Sequence, residues 1–256
     1  MIFCFSGTGN SLLVARELSR LLGHGIVMLE KDTLLRPKER LYELGEGEDA
    51  LWVFPIYSWG VPPVVRRFMR KVKLKTPAST LHYMVATCGD DIGRADDQWR
   101  QEIGRRGWTP RGAFSVEMPN TYVCMKGFEV DPPETERRKL AAMPARVAEI
   151  VAEIRRGFSE SDVVRGDYAW LKTAAVYPLF RAFCMSPAQF RADPAKCSGC
   201  GACAKGCPLD NIAMKDGKPL WGPVCALCLR CFHGCPSQAV DYGKATEGKA
   251  AKRVYR

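Results

Sequence analysis

The chain has 256 residues, of which 46% are hydrophobic and 26% charged, and its formal net charge is +10. This composition is typical of a globular protein and excludes a disordered or collagen-like chain. The length allows one large domain or two smaller ones. No uninterrupted apolar run approaches the roughly 18 residues of a spanning helix, so we expect no membrane span. The N-terminus lacks the basic region of a signal peptide, and we therefore expect a cytoplasmic protein.

Short apolar runs alternate with longer helix-like stretches through residues 1–156. The predicted strands are residues 2–5, 26–29, 51–54, 81–87 and 113–116. The predicted helices are residues 10–22, 64–72, 94–106 and 134–156, the last with a kink at Pro144. This alternation predicts an α/β fold with a doubly wound parallel five-stranded sheet. Ligands of such sheets bind at the carboxyl ends of the strands.

The loop after the first predicted strand consists of small and hydroxyl-bearing residues. Its members are Ser6, Gly7, Thr8, Gly9, Asn10 and Ser11. Glycines let the backbone approach a ligand, and the N-terminus of the following helix suits a phosphate group. The loop lacks the third glycine of a dinucleotide fingerprint and the lysine of a P-loop. A tight turn with Asn10 as the helix cap is the alternative interpretation.

The run from Phe5 to Ser11 resembles the phosphate loop of flavodoxins, which binds the 5′-phosphate of FMN. In that family two further loops hold the isoalloxazine ring, and the resemblance places them at residues 55–60 and 87–91. The implied ring-side residues are Pro55, Tyr57, Ser58, Trp59, Gly60, Thr87, Cys88, Gly89 and Asp90. Tyr57 and Trp59 would stack on the ring, with core packing as the alternative. Capping of the next helix is the alternative for Asp90 and Asp91.

The loop after the fifth predicted strand opens onto the same edge of the sheet. Asn120 and Tyr122 in this loop are candidates to contact the ring or a substrate, and solvent-facing loop residues are the equal alternative.

Eight of the 12 cysteines lie in two runs near the C-terminus. The first run is Cys197, Cys200, Cys203 and Cys207, and the second is Cys225, Cys228, Cys231 and Cys235. Each cysteine of the second run lies 28 positions after its counterpart, and so does the proline that follows, which indicates an internal duplication. In a chain without an export signal, this density of cysteine indicates metal binding rather than disulfides.

The spacing predicts two 4Fe–4S clusters with crossed ligands, because the fourth cysteine of each run lies too far along the chain for its own triplet. One cluster is assigned to Cys197, Cys200, Cys203 and Cys235. The other is assigned to Cys225, Cys228, Cys231 and Cys207. Structural zinc usually uses two separated cysteine pairs and fits this pattern badly. Residues 190–243 resemble the bacterial two-cluster ferredoxins, which implies a small α+β domain.

Residues 157–189 join the two modules and include an apolar, aromatic stretch at 168–185. This stretch is expected to pack the modules together, with a membrane-surface helix as the less favoured alternative.

The tail, residues 244–256, holds five basic residues and one acidic residue. It favours acidic redox partners over nucleic acid, because no base-stacking motif accompanies the charge. A solvated tail is the alternative.

Together the two resemblances match flavodoxin-fused ferredoxins of anaerobic bacteria. The match implies an electron-transfer iron–sulfur flavoprotein that passes single electrons between two 4Fe–4S clusters and FMN, and so links one- and two-electron chemistry. An FMN-dependent reductase of a small organic substrate, such as a quinone or an enone, is the alternative. A redox sensor is a weaker one.

Overall fold

The computed structural model describes residues 1–249, and its larger part is a parallel sheet with helices on both faces. Within these residues the sheet has six strands in the order β2–β1–β4–β6–β7–β8. The strands are β1 (Ile2–Cys4), β2 (Ile26–Met28), β4 (Ala50–Pro55), β6 (Leu81–Cys88), β7 (Thr109–Glu117) and β8 (Ser161–Asp162). A separate parallel pair joins β3 (Leu41–Glu43) to β5 (Lys73–Lys75). The predicted parallel α/β architecture is confirmed, and the predicted count of five strands is one short.

The sixth strand comes from residues 157–189, the segment predicted to join the two modules. Ser161 and Asp162 of β8 pair with Ala113 and Phe114 of β7. Two polar residues carry no apolar alternation, so no sequence pattern marks them as a strand. The sheet therefore extends beyond residue 156, where the predicted domain ended.

The helices of this part cover the two faces of the sheet. They are α1 (Asn10–Leu22), α2 (Asp32–Leu35), α3 (Pro63–Lys71), α4 (Ala95–Gly104) and α5 (Pro133–Arg155). Successive side chains of a strand point to opposite faces, so Phe3 and Trp52 pack with α3 and α4, whereas Cys4 and Val53 pack with α1 and α5. The chain stays helical through Pro144.

Within residues 157–189, a nearly continuous helical stretch over residues 169–183 packs against the sheet domain. It consists of α6 (Ala169–Leu171), a π-helical turn (Lys172–Val176) and α7 (Tyr177–Phe183). The side chain of Tyr177 is buried, and its hydroxyl donates a hydrogen bond to the carbonyl of Val61. No helix within residues 1–249 is both long and apolar enough to cross a membrane.

The cysteine-rich module is small and built from short elements. Its strands form two antiparallel pairs, β9 (Phe190–Ala192) with β12 (Val240–Tyr242) and β10 (Ile212–Lys215) with β11 (Lys218–Trp221). Its helices are α8 (Ala202–Gly206) and α9 (Arg230–His233). The first residues of the basic tail pack on the sheet domain, where Lys249 Nζ donates to the carbonyls of Val123 and Met125. Residues 250–256 lie outside the described part of the chain.

A buried carboxylate ties α3 to α4. Glu102 is inaccessible to solvent and accepts hydrogen bonds from Arg66, Arg70 and Arg105. Burial alone would raise the pKa of Glu102, but the hydrogen bonds and charges of Arg70 and Arg66 outweigh it and lower the pKa to about 2. The carboxylate is therefore charged in the folded protein far below neutral pH.

Replacing Glu102 with glutamine is expected to lower stability at neutral pH by about 3 kcal/mol, because the three arginines lose their buried partner. A depressed folded-state pKa stabilises above the unfolded value of 4.5, and this contribution disappears as the pH falls toward 2. The difference in unfolding midpoint between wild type and Glu102→Gln should therefore shrink below pH 4.5. Cluster loss in acid is common to both chains and cancels in the difference. Glu39→Gln, in an exposed pair with Arg36, is the control and should show no difference at either pH.

Candidate functional site

The loop between β1 and α1 is held in shape by its own first hydroxyl. Ser6 Oγ accepts hydrogen bonds from the N–H groups of Gly9 and Leu12, at 3.1 and 3.3 Å. Gly9 has φ = 108°, a left-handed conformation that glycine adopts without steric cost. The loop therefore turns tightly and places its backbone at the N-terminus of α1.

The same loop presents unpaired donors to a buried space. Within residues 1–249, the N–H groups of Gly7, Thr8, Asn10 and Ser11 donate to no other residue. Asn10 is 9% exposed; its Nδ2 donates to the carbonyl of Pro119, and its Oδ1 has no partner in this part of the chain. Free N–H groups at the positive end of a helix dipole form an anion site.

The cysteine-rich module forms the opposite wall of this space. Residues 227–229 complete a cavity of about 70 Å³, which the predicted residues Pro55 and Tyr57 also line. Sites for drug-sized ligands and cofactors generally enclose about 300–1,000 Å³. The residues present therefore fit a phosphate group, but the cavity is too small for the isoalloxazine ring of FMN in this arrangement of the two modules.

Two leucines of the second cysteine run make this closure possible. Leu227 and Leu229 have φ values of 51° and 58°, where the first run has Gly199 and Gly201 at 72° and 71°. A left-handed backbone costs a non-glycine residue about 1 kcal/mol. Both leucines are nevertheless buried, at 4% and 3% exposure. Their burial at the junction of the modules offsets this strain.

Arg230 fastens the second cysteine run to the loop. Its guanidinium donates to the carbonyls of Gly7 and Ser6, both at 2.8 Å, and pairs with Glu30 at 3.1 Å. Gly7 itself lies against Cys228, since a Cβ added at Gly7 would sit 2.5 Å from the Cys228 carbonyl oxygen. The predicted phosphate loop is thus in direct contact with a predicted cluster ligand.

Trp59 and Gly60, in the first predicted ring-side loop, pack against the helical stretch of residues 169–183. Thr173 Oγ1 donates to the carbonyl of Trp59 at 2.8 Å, and Lys172 Nζ lies 5.1 Å from the centre of the Trp59 ring. The ring of Tyr177 packs directly on Gly60. Of this loop, Pro55 and Tyr57 face the cavity, whereas Trp59 and Gly60 pack against residues 172–177. Ser58, in the turn between them, has φ = 45° and is half-buried.

Residues of the second predicted ring-side loop form hydrogen bonds with other residues of the sheet domain. Thr87 Oγ1 lies 2.7 Å from Ser11 Oγ, and the carbonyl of Gly89 accepts from Lys139 Nζ at 2.8 Å. Asn120 fills the space beside Gly89. Burial raises the pKa of the Cys88 thiol to about 12.

The other polar residues near this edge of the sheet differ in burial and in hydrogen-bond partners. Asp90 is exposed, and Asp91 pairs with Lys172 at 2.7 Å. Tyr122 lines the cavity with Thr8 and Thr121, and its hydroxyl is buried without a partner in the described chain. His233 is buried at the junction, with Nε2 2.8 Å from the carbonyl of Thr121. Tyr122 is thus a candidate to contact a bound group. The side chain of Asn120 instead packs on Gly89 and donates a hydrogen bond to Asp131.

The eight cysteines of the two runs line two small cavities, four to each. The first is lined by Cys197, Cys200, Cys203 and Cys235. The second is lined by Cys207, Cys225, Cys228 and Cys231. Each cavity thus gathers three cysteines of one run and the fourth of the other.

The two cavities differ in exposure. Cys200 of the first cavity is exposed, whereas every cysteine of the second is partly buried. Burial raises the pKa of the Cys225 thiol to about 12, so ligation to iron would be needed to keep it as thiolate at neutral pH. No three His, Cys, Asp or Glu side chains within residues 1–249 gather as they would around one metal ion. In a 4Fe–4S cluster, by contrast, each cysteine binds a different iron.

Sequence reasoning did not single out Arg230 and the two leucines, although a signal for them exists. Aligning the two runs at their 28-residue offset places Arg230 opposite Ala202, and Leu227 and Leu229 opposite glycines. Departures from an internal repeat mark the places where one copy has acquired a contact that the other lacks. Here those departures coincide with the contact between the second run and the loop.

Comparison with known proteins identifies part of the cysteine-rich module. Residues 190–213 match the family described as the 4Fe-4S binding domain. This match contains the first cysteine run and supports an iron–sulfur electron-transfer protein. No curated protein matches the chain. Among solved structures, the Trp repressor binding protein from Bacillus subtilis is similar at 14% identity and a TM-score of 0.33, over 57% of this chain and 97% of that chain. That similarity is too low to support an argument about fold or function.

Proposed function

We propose that this protein is an electron carrier with two 4Fe–4S clusters whose fourth ligands are exchanged between the two cysteine runs. The observation that carries the proposal is the lining of the two cavities, because each combines a triplet from one run with the last cysteine of the other. This is the ligand pattern of two-cluster ferredoxins.

Short helices keep the two cluster sites close together. Helix α8 joins Cys203 of the first site to Cys207 of the second, and α9 joins Cys231 of the second to Cys235 of the first. Neighbouring clusters can pass single electrons between them. The exposed side of the first site, at Cys200, is the natural entry for electrons from a partner protein.

Reductive titration of the anaerobically reconstituted protein tests this function. Photoreduced deazaflavin should deliver about two electrons per chain, one to each cluster, with iron–sulfur EPR signals appearing at both steps. A variant with serine in place of Cys197, Cys200, Cys225 and Cys228 should take up none. The intact protein should also speed electron flow between two carrier proteins. Uptake of only one electron, or no effect on that flow, would refute the proposal.

A second candidate adds FMN at the loop between β1 and α1, as the sequence predicts. Two observations favour it: the unpaired donors of the loop, and the order of the five longer strands of the sheet. Numbered along the chain, these strands follow the order 2-1-3-4-5, which is the flavodoxin-like order. The residues fit the phosphate end of FMN, because the cavity that the loop forms with residues 227–229 is about 70 Å³ and does not also hold the ring.

Flavin analysis decides between the two candidates. Acid extraction should release less than stoichiometric FMN if the module stays closed on the loop, and reduction should end at about two electrons per chain. Release of about one FMN per chain, with uptake of about four electrons, would establish the second candidate. In that case the cluster-free variant described above should still accept electrons from reduced viologen at the flavin.

A further inference from the structure

The cavity between the β1–α1 loop and residues 227–229 is small and lined by unpaired hydrogen-bond donors. Its volume is about 70 Å³, the share of about two water molecules at ~30 Å³ each. The described residues that line it include no Asp or Glu. Among them are Gly7, Thr8, Asn10 and Ser11, whose N–H groups have no partner within residues 1–249. These donors at the N-terminus of α1 need an occupant that accepts several hydrogen bonds.

Arg230 of the cysteine-rich module strengthens two of these donors. Its guanidinium donates to the carbonyls of Ser6 and Gly7, both at 2.8 Å. The same two peptide groups carry the N–H groups of Gly7 and Thr8, and in a trans peptide the N–H points away from the carbonyl. Hydrogen bonds in series polarise one another, so the positive charge of Arg230 makes both N–H groups better donors to the cavity. Glu30, which pairs with Arg230 at 3.1 Å, does not line the cavity.

A buried amide oxygen restricts the kind of anion that fits. Asn10 lines the cavity, and its Nδ2 donates to the carbonyl of Pro119, which is not a lining residue. That bond fixes the orientation of the amide and leaves Oδ1, which has no partner within residues 1–249, as the atom available to an occupant. An oxyanion without a proton would leave this acceptor unpaired. An oxyanion that keeps a proton can donate to Oδ1 while it accepts from the N–H groups.

We propose that the cavity binds free hydrogenphosphate and that Arg230 makes this binding depend on the closed cysteine-rich module. The ion accepts hydrogen bonds from the loop N–H groups and donates one to Asn10 Oδ1. Sulfate has the same shape but no proton at neutral pH, so it leaves Oδ1 unpaired. FMN carries its phosphate on a ring system for which the cavity has no room. The site needs the packing of the two modules and not the transfer of electrons.

Calorimetric titration of the intact, cluster-loaded protein with inorganic phosphate tests the proposal. The protein is purified in phosphate-free buffer and kept oxidised, because a reduced cluster at Cys228 would add negative charge beside the cavity. Titrated phosphate, together with any that acid releases from the purified protein, should reach about one ion per chain. Sulfate should bind about ten- to a hundredfold more weakly, because it leaves a buried acceptor unpaired. This comparison uses wild type alone, so it does not depend on the folding of a variant.

Replacing Asn10 with alanine tests the role of the acceptor. The ratio of phosphate to sulfate affinity should fall toward one, because neither ion then faces an unpaired oxygen. A ratio is insensitive to a loss of stability that affects both ions equally. Asn120→Ala is the matched control, since Asn120 lies on the same edge of the sheet but does not line the cavity. It should keep the wild-type ratio.

Replacing Arg230 with methionine tests the link between the ion and the cysteine-rich module. Affinity should fall at least about tenfold for phosphate and sulfate alike, with their ratio unchanged, because the polarised N–H groups lose their cation. Arg230→Lys keeps the charge and should recover part of the affinity, which a purely structural role would not explain. Arg20→Met, at the other end of α1, is the control and should bind phosphate as wild type does.

Four results would overturn the proposal. The first is wild-type protein that neither holds nor binds phosphate, which would mean that water fills the cavity. The second is equal affinity for phosphate and sulfate. The third is an equal loss of affinity in Arg230→Met and Arg20→Met, which would mean unspecific charge attraction. The fourth is release of about one FMN per chain in place of phosphate, which would assign the loop to the nucleotide.

Discussion

Replacing Cys207 with serine is expected to remove the cluster of the second cysteine run, although Cys207 belongs to the first run. The reason is the geometry of the second cavity, where Cys207 stands with Cys225, Cys228 and Cys231. Iron content should fall from about eight to about four per chain. Cys235→Ser should remove the other cluster by the same reasoning. Cys184→Ser, at a cysteine outside both runs, is the control and should keep both clusters.

The iron content of two double variants shows whether the fourth cysteine of each run binds the cluster of the other run. If the ligands are crossed, Cys207→Ser with Cys225→Ser damages one site twice and leaves about four irons. Cys207→Ser with Cys197→Ser damages both sites and leaves almost none. The opposite pattern, with the first pair losing both clusters and the second pair keeping one, would show that each run holds its own cluster.

Replacing Gly7 with alanine is expected to loosen the cysteine-rich module from the sheet domain. The new Cβ would lie 2.5 Å from the Cys228 carbonyl oxygen and 2.9 Å from the Cys228 Cβ, so backbone must move. Overpacking of this kind typically costs about 1–3 kcal/mol. The expected result is a lower midpoint of thermal unfolding and an altered EPR signal from the second cluster, with the first cluster unchanged.

Two further variants make the Gly7 result interpretable. Gly25→Ala is the matched control, because no atom lies within 4 Å of its added Cβ, and it should leave both readouts unchanged. Arg230→Met removes the hydrogen bonds to Ser6 and Gly7 and should reproduce the Gly7→Ala effects without a steric clash. If Gly7→Ala leaves the stability and the second signal as in wild type, the loop does not hold the module.

Local patterns were sufficient to predict most of the sheet domain. The apolar runs that become β1, β4 and β6 are buried on both faces, so each stands out as a continuous hydrophobic segment. The pairs β3–β5 and β7–β8 are short and partly polar, and their pairing depends on contacts between distant parts of the chain. Such contacts leave no periodic signal in the sequence, which explains why β3, β5 and β8 were not predicted.

In the candidate site, too, local sequence patterns were predictable and contacts between distant parts of the chain were not. The loop at Ser6–Ser11 and the two cysteine runs have spacings that indicate chemistry directly. The closure of that loop by Leu227 and Leu229, and the covering of Trp59 by Lys172 and Thr173, depend on how separate modules pack. The position of a flavin ring beside Tyr57 and Trp59 comes from family resemblance alone. FMN binding therefore stays a prediction, whereas the iron–sulfur module is supported by a family match.

Quantifying iron, acid-labile sulfide and zinc in anaerobically purified protein tests the central claim most directly. Two 4Fe–4S clusters require about eight irons and about eight sulfides per chain, with EPR signals from two interacting clusters on reduction. About four irons per chain after full reconstitution would mean that the second cysteine run holds no cluster. Stoichiometric zinc without labile sulfide would contradict an electron carrier altogether.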